Sequence, residues 1–136
     1  MRKLFIIIAL AGLAGSAQAQ TLKPSQAACD SKKIGARELS DCLRNNVDKS
    51  EKFMADAVEA AIKSIDGRAG LVSAQKARWR RALNDSQAQW VGWRDTDCQD
   101  VAPFEAGLGF KGADPRLSCI IDHNVQRTDE MKARYP

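Results

Sequence analysis

The chain is poor in histidine, proline, glycine and aromatic residues. One histidine, four prolines and nine glycines exclude several classes at once. Glycine and proline are too scarce for the turns of a β-sandwich. Aromatic residues make up 6%, low for a ligand-binding barrel and ordinary for a helical protein. His123 stands alone and no C-x-x-C pair occurs, so neither a zinc site nor a dithiol redox site assembles. The sequences G-x-S-x-G, H-E-x-x-H and the P-loop are absent too. Asp122 and His123 are chain neighbours, which is not a triad arrangement. Asp95, Asp97, Asp100 and Glu105 lack the glycine and terminal glutamate of a calcium loop. The residues therefore point away from an enzyme, and neither metal nor cofactor is expected.

What is present describes a folded, exported chain. Hydrophobic residues make up 44% and charged residues 28%, a balance that supports a core. Met1-Arg2-Lys3, then the apolar stretch from Leu4 to Gly15, then Ala17-Gln18-Ala19 form a signal peptide pattern. Cleavage is expected after Ala19, which makes residues 1–19 the leader and 20–136 a single domain. Loss of Arg2 and Lys3 lowers the formal charge from +4 to +2, which removes most of the case for nucleic acid. No later apolar run is long enough to span a bilayer. Cys29 lacks the leucine that usually precedes a lipidated cysteine. The expected location is the periplasm or the exterior.

Three stretches carry helical periodicity. From about Ala36 to Ile65, the residues Leu39, Leu43, Val47, Met54, Ala57, Val58, Ala61, Ile62 and Ile65 recur at three- and four-residue steps. Asp66-Gly67 is the expected stop, with Gly67 in the left-handed conformation. From about Leu71 to Cys98, the residues Val72, Trp79, Leu83, Trp90 and Trp93 form one apolar stripe, which predicts burial of both later tryptophans. Lys76, Arg80, Arg81, Gln87 and Arg94 make the polar outer face. The third helix opens at Asp114-Pro115, a cap followed by a proline at the first helical position. Its apolar face is Leu117, Ile121, Val125, Met131 and Tyr135. Residues 99–113 read as a loop with Pro103, Gly107, Gly109 and Gly112. The fold class is all-α: an antiparallel helical hairpin with a third helix packed across it, a small three-helix bundle stapled by disulfides.

Cys29, Cys42, Cys98 and Cys119 read as two disulfides in a small exported domain. The hairpin gathers all four at one end. The sequence-local pairing, Cys29–Cys42 with Cys98–Cys119, is preferred, and the other two pairings remain open. Each bridge is worth about 3 kcal/mol on loop-entropy grounds. Arg94 and Asp95 are neighbours that do not share a helix face, so each is expected to find a separate partner. Lys76, Arg78, Arg80 and Arg81 form a basic cluster, read as a solvated face partly balanced by acids of the first helix.

Gln87-x-x-Trp90-x-x-Trp93-Arg94-Asp95-x-x-Cys98, with Cys119 and then Arg127 further on, resembles the LprI-type lysozyme inhibitor family, small exported helical domains with cysteines. The resemblance runs from about Cys29 to Tyr135. It implies a structural motif of Gln87, Trp90, Trp93, Arg94, Asp95 and Arg127, and a lysozyme as protein partner. An inhibitor must block a cleft that holds two carboxylates. The 99–113 loop supplies the candidate contacts: Lys111 for a catalytic carboxylate, Phe110 for an apolar subsite, and Arg116 close behind. A mildly basic chain gains no long-range steering toward a basic lysozyme, so local complementarity has to supply the affinity. The alternative is a binding or scaffold domain whose basic face on the second helix meets cell wall, anionic lipid or another envelope protein.

Overall fold

The computed structural model describes residues 22–107 and 109–136. The leader and its cleavage position lie outside the described residues. The elements are α1 (Pro24–Ala28), α2 (Ala36–Gly67), α3 (Ser73–Thr96), a π-helical turn (Asp97–Val101), α4 (Ala102–Ala106) and α5 (Pro115–Arg134). No strand occurs among the described residues.

α2 runs for 32 residues, about 48 Å at the helical rise. It starts at Gly35, whose N–H is accepted by the Glu38 carboxylate, so one otherwise orphaned donor is met. Its buried face is Leu39, Leu43, Ser50, Met54, Ala57, Ala61 and Ile65, the expected stripe plus one serine. The stop differs from expectation. Gly67 is still helical, and the left-handed residue is Gly70, at φ 79°. α3 starts where Gln75 Oε1 accepts the Val72 N–H at 3.1 Å. α5 starts as expected, with Asp114 Oδ1 accepting the Arg116 N–H at 2.9 Å and Pro115 in the first turn. Lys132 and Arg134 in its last turn complement the helix dipole.

The closest helix pair is α2 with α5, not the α2–α3 hairpin. Leu39 and Leu43 pack with Leu117, Ile121 and Cys29 at one end. Ala57, Ala61 and Ile65 pack with Leu83, Met131 and Tyr135 at the other. Starts meet starts and ends meet ends, so α2 and α5 run parallel. α3 lies antiparallel to both, with Trp79 against Tyr135 at the far end. Full burial of side chains such as Leu43, Ile65 or Met131 contributes about 2 kcal/mol each. Leu83 is the one apolar side chain that α3 buries. The expected α3 stripe is therefore only partly a core stripe. Val72 and Trp93 are exposed, while Trp79 and Trp90 are half-buried.

Residues 99–113 are not the open loop expected. The π-helical turn continues α3 to Val101, and α4 follows with Pro103 in its first turn, where the missing N–H costs nothing. Among the described residues of this stretch, those after Ala106 are irregular. Cys29 is bridged to Cys42 and Cys98 to Cys119, with Cα separations of 5.9 and 5.4 Å. Both bridges sit at the end of the bundle where α2 and α5 begin.

Candidate functional site

A polar belt separates the two apolar clusters. Arg94 was expected on the outer face, yet it is 4% exposed. Its Nη1 donates to Asn124 Oδ1 at 2.7 Å, and Asn124 Nδ2 donates to Ser50 Oγ at 3.0 Å. The Ser50 hydroxyl donates in turn to the Val47 carbonyl. Asp95 Oδ1 accepts from Arg94 Nε and Nη2 at 2.9 and 2.6 Å. The neighbours thus pair directly, contrary to the face argument, because the long arginine side chain spans to the adjacent carboxylate. Glu51 stands 3.6 Å from the same guanidinium.

Arg127 is the second buried cation. Its Nε donates to Gln87 Oε1 at 3.0 Å and its Nη1 to Glu130 Oε2 at 2.6 Å. The Gln87 amide reaches Met54 Sδ. Both guanidiniums lie over the Trp90 ring, at 5.8 Å for Arg94 and 5.4 Å for Arg127, a cation–π pair of contacts. The motif Gln87, Trp90, Arg94, Asp95 and Arg127 is thereby one structural unit. It welds α3 to the parallel pair where apolar packing is thin. Arg127 and then Arg134 hold the Glu130 carboxyl below its ordinary pKa.

Trp93 departs from that unit. It is 53% exposed and packs edge-on against His123 at 4.9 Å. His123 Nε2 lies 3.0 Å from Asp97 Oδ2. Donor atoms of Asp97, Cys98, Cys119 and His123 fall within 4.8 Å of one another, the density of a metal centre. Both sulfurs, however, are spent in the Cys98–Cys119 bridge, so the thiolates a metal requires do not exist here.

The disulfide end carries an open groove of about 880 Å³ between α1, α4, Phe110, Ala113 and α5. α1, too short to be read from sequence, forms one wall. It is tied down where Asp122 Oδ1 accepts the Ser25 N–H at 2.7 Å. Asp97, Glu105, Asp122 and Asp129 line the groove, and Lys23 is its one lysine or arginine. Phe110 forms a lip, and Phe104 projects from α4 with 77% of its surface exposed. Val101 is exposed on the same segment. Three of the seven exposed large apolar side chains among the described residues, Val101, Phe104 and Phe110, thus lie on the segment that follows Cys98. Lys111 and Arg116 are both exposed beside it, and Arg116 Nε donates to the Gln99 carbonyl at 3.4 Å. The structure brings Phe110, Lys111 and Arg116 to one end of the molecule. Phe104 was missed in sequence because residues 99–113 were read as irregular. The basic cluster on α3 is partly consumed: Lys76 donates to the Asp66 carbonyl and Arg80 pairs with the Asp66 carboxylate.

These features define a class: a small all-helical domain, twice disulfide-bonded, with a projecting apolar rim and no assembled nucleophile and base among the described residues. Within that class, the chain belongs to the LprI lysozyme inhibitor family, whose model matches residues 29–131. An uncharacterized protein of Rhizobium meliloti is similar, 35% identical over 77 residues that cover 55% of this chain and 53% of that protein. The chain thus spans about half the length of the curated relative it matches. No solved structure matches. No described helix is long and apolar enough to cross a membrane.

Proposed function

We propose that this protein is an extracytoplasmic lysozyme inhibitor that binds the enzyme through its disulfide end and occludes the substrate cleft. The observation that carries the reading is the match to the lysozyme inhibitor LprI model across residues 29–131. Family membership also favours a binding protein over an enzyme. The structure adds a plausible surface: Phe104 and Phe110 supply exposed apolar anchors, with Lys111 and Arg116 beside them. Lys111 reaches a catalytic carboxylate, and Phe110 fills an apolar subsite. The acidic groove behind Phe110 also answers the charge problem. Glu105 and Asp129 face a basic partner locally, where the whole-chain charge gives no steering.

The test is titration of the oxidised mature protein into a cell-wall lysis assay with a c-type lysozyme. Saturable, stoichiometric inhibition is expected. Its absence in protein with both bridges verified would overturn the inhibitor reading. Lys111→Ala with Arg116→Ala, and separately Phe104→Ala, are each expected to weaken inhibition about tenfold or more, the scale of a central contact. Unchanged inhibition in all of these variants would remove this surface from the mechanism. Export belongs to the same proposal. The mass of the protein recovered outside the cytoplasm should correspond to a chain that begins at Gln20.

A further inference from the structure

Next to the acidic groove, across His123 and Gln126, lies a second, smaller cleft of about 320 Å³. Trp90, Trp93, His123, Gln126, Arg127 and Glu130 line it. We infer that this cleft is a saccharide subsite, which takes one or two rings of a neutral pyranose oligomer with Trp93 as the stacking platform. The inference rests on these residues alone and not on the inhibitor reading.

Trp93 supplies the first part of the case. Its indole is about half exposed, which leaves an apolar ring face open to a ligand. Here the ring is also held in place. His123 packs on it edge-on at 4.9 Å and interplanar 71°, and the Trp90 ring stands 6.4 Å away. His123 is itself fixed by Asp97 at 3.0 Å. Trp93 is thus exposed but not loose, which is what a stacking surface requires.

The charge balance of the cleft decides the ligand class. Arg127 is neutralised by Glu130 at 2.6 Å, and Glu130 takes Arg134 as well at 2.9 Å. Asp97 stands against His123, and Asp95 against Arg94. The arginine and the glutamate that line the cleft pair with each other. An anion finds no spare cation here, and a cation finds no spare carboxylate. A neutral ligand rich in hydroxyls and amides suits such a site. One face of a pyranose ring is a flat array of C–H bonds that lies on an indole, while its equatorial hydroxyls point outward to polar partners. Gln126 is exposed and makes no side-chain hydrogen bond among the described residues. It offers both a donor and an acceptor at the rim. The Glu130 carboxylate, half-exposed, adds acceptors. The volume lies at the small end of ligand sites, room for one or two rings and no more.

The probe is the trimer of N-acetylglucosamine, added to the oxidised protein while tryptophan fluorescence and the indole N–H resonances are followed. A saturable change with a Kd of about a millimolar is expected, the strength of one stacked ring with few hydrogen bonds. Trp93→Ala should abolish it, and Gln126→Ala should weaken it severalfold. Phe104→Ala should leave sugar binding intact, and Trp93→Ala should leave lysozyme inhibition intact, so the two readings fail separately. No saturable change at tens of millimolar sugar would overturn the inference. An indole signal that shifts with protein concentration alone, together with a dimer in sedimentation, would also overturn it and assign the Trp93 face to a second copy of the chain. Equal response to the sugar in Trp93→Ala and the parent protein would place any binding elsewhere and sink the proposed platform.

Discussion

At the scale of residues, one of the most deeply buried side chains is polar. Asn124 is fully buried and joins Arg94 on α3 to Ser50 on α2. Asn124→Ala strands a buried guanidinium N–H of Arg94, while the Ser50 hydroxyl keeps its bond to the Val47 carbonyl. The expected loss is about 2 kcal/mol, within the range for an orphaned buried group, measured by urea unfolding. Glu130 gives a pH signature of opposite visibility. Its folded pKa is lowered by Arg127 first and Arg134 second. A lowered carboxylate pKa contributes stability fully present above the ordinary value near 4.5, and that contribution is lost as pH falls through the folded pKa. Because Glu130 is half-exposed, solvent screening keeps the effect under about 1 kcal/mol. Glu130→Gln should lower the melting temperature slightly at neutral pH and converge with the parent in strong acid. Gly112 makes a third case. A Cβ there would lie 2.6 Å from Phe110 Cζ, at the far end of a side chain free to swing. Gly112→Ala should leave stability nearly unchanged yet turn Phe110 away, so reduced inhibition at constant melting temperature is the expected result.

At the scale of elements, the long helices were legible and their polar seams were not. α2 announces itself by the steps from Leu39 to Ile65, and α5 by Asp114-Pro115, because capping and periodicity are local physics. Ser50, Asn124, Arg127 and Thr128 are buried, yet each is polar and reads from sequence as solvent-facing. Only a partner on another helix reverses that reading, and the partner is not a local fact. The stripe on α3 failed in the opposite direction. Trp93 shares the spacing of Trp79 and Leu83, but α3 rests against the other helices chiefly through its Leu83 and Arg94 positions, so the stripe runs off the contact. α1 and α4 span five residues each, below the length at which a period can be seen. The bridges divide labour between elements. Cys29–Cys42 ties α1 to α2, while Cys98–Cys119 ties the π-helical turn and α4 to α5. Replacement of either pair by serine should cost about 3 kcal/mol. Loss of the second should also weaken inhibition by more than its stability cost alone, since it frees the segment that bears Phe104 and Phe110. Comparison of both double variants at a temperature where each is fully folded separates these effects.

At the scale of the whole molecule, the parallel arrangement of α2 and α5 makes the two ends chemically unlike. One end gathers both bridges, the acidic groove, Phe104 and Phe110. The other is closed by an apolar cluster with Trp79 against Tyr135. The alternative envelope-surface reading would need the basic face of α3, and there Lys76 and Arg80 are already engaged at Asp66. Salt-sensitive sedimentation with anionic vesicles should accordingly be weak. The closed end has a practical use. Tyr135 is buried there, and the Pro136 carbonyl accepts from Ser64 Oγ at 3.5 Å. A linker grafted after Pro136 therefore leaves the molecule at the pole farthest from the bridges. On a sensor chip or a bead, every copy held that way would stand with its disulfide end outward, oriented by its own topology.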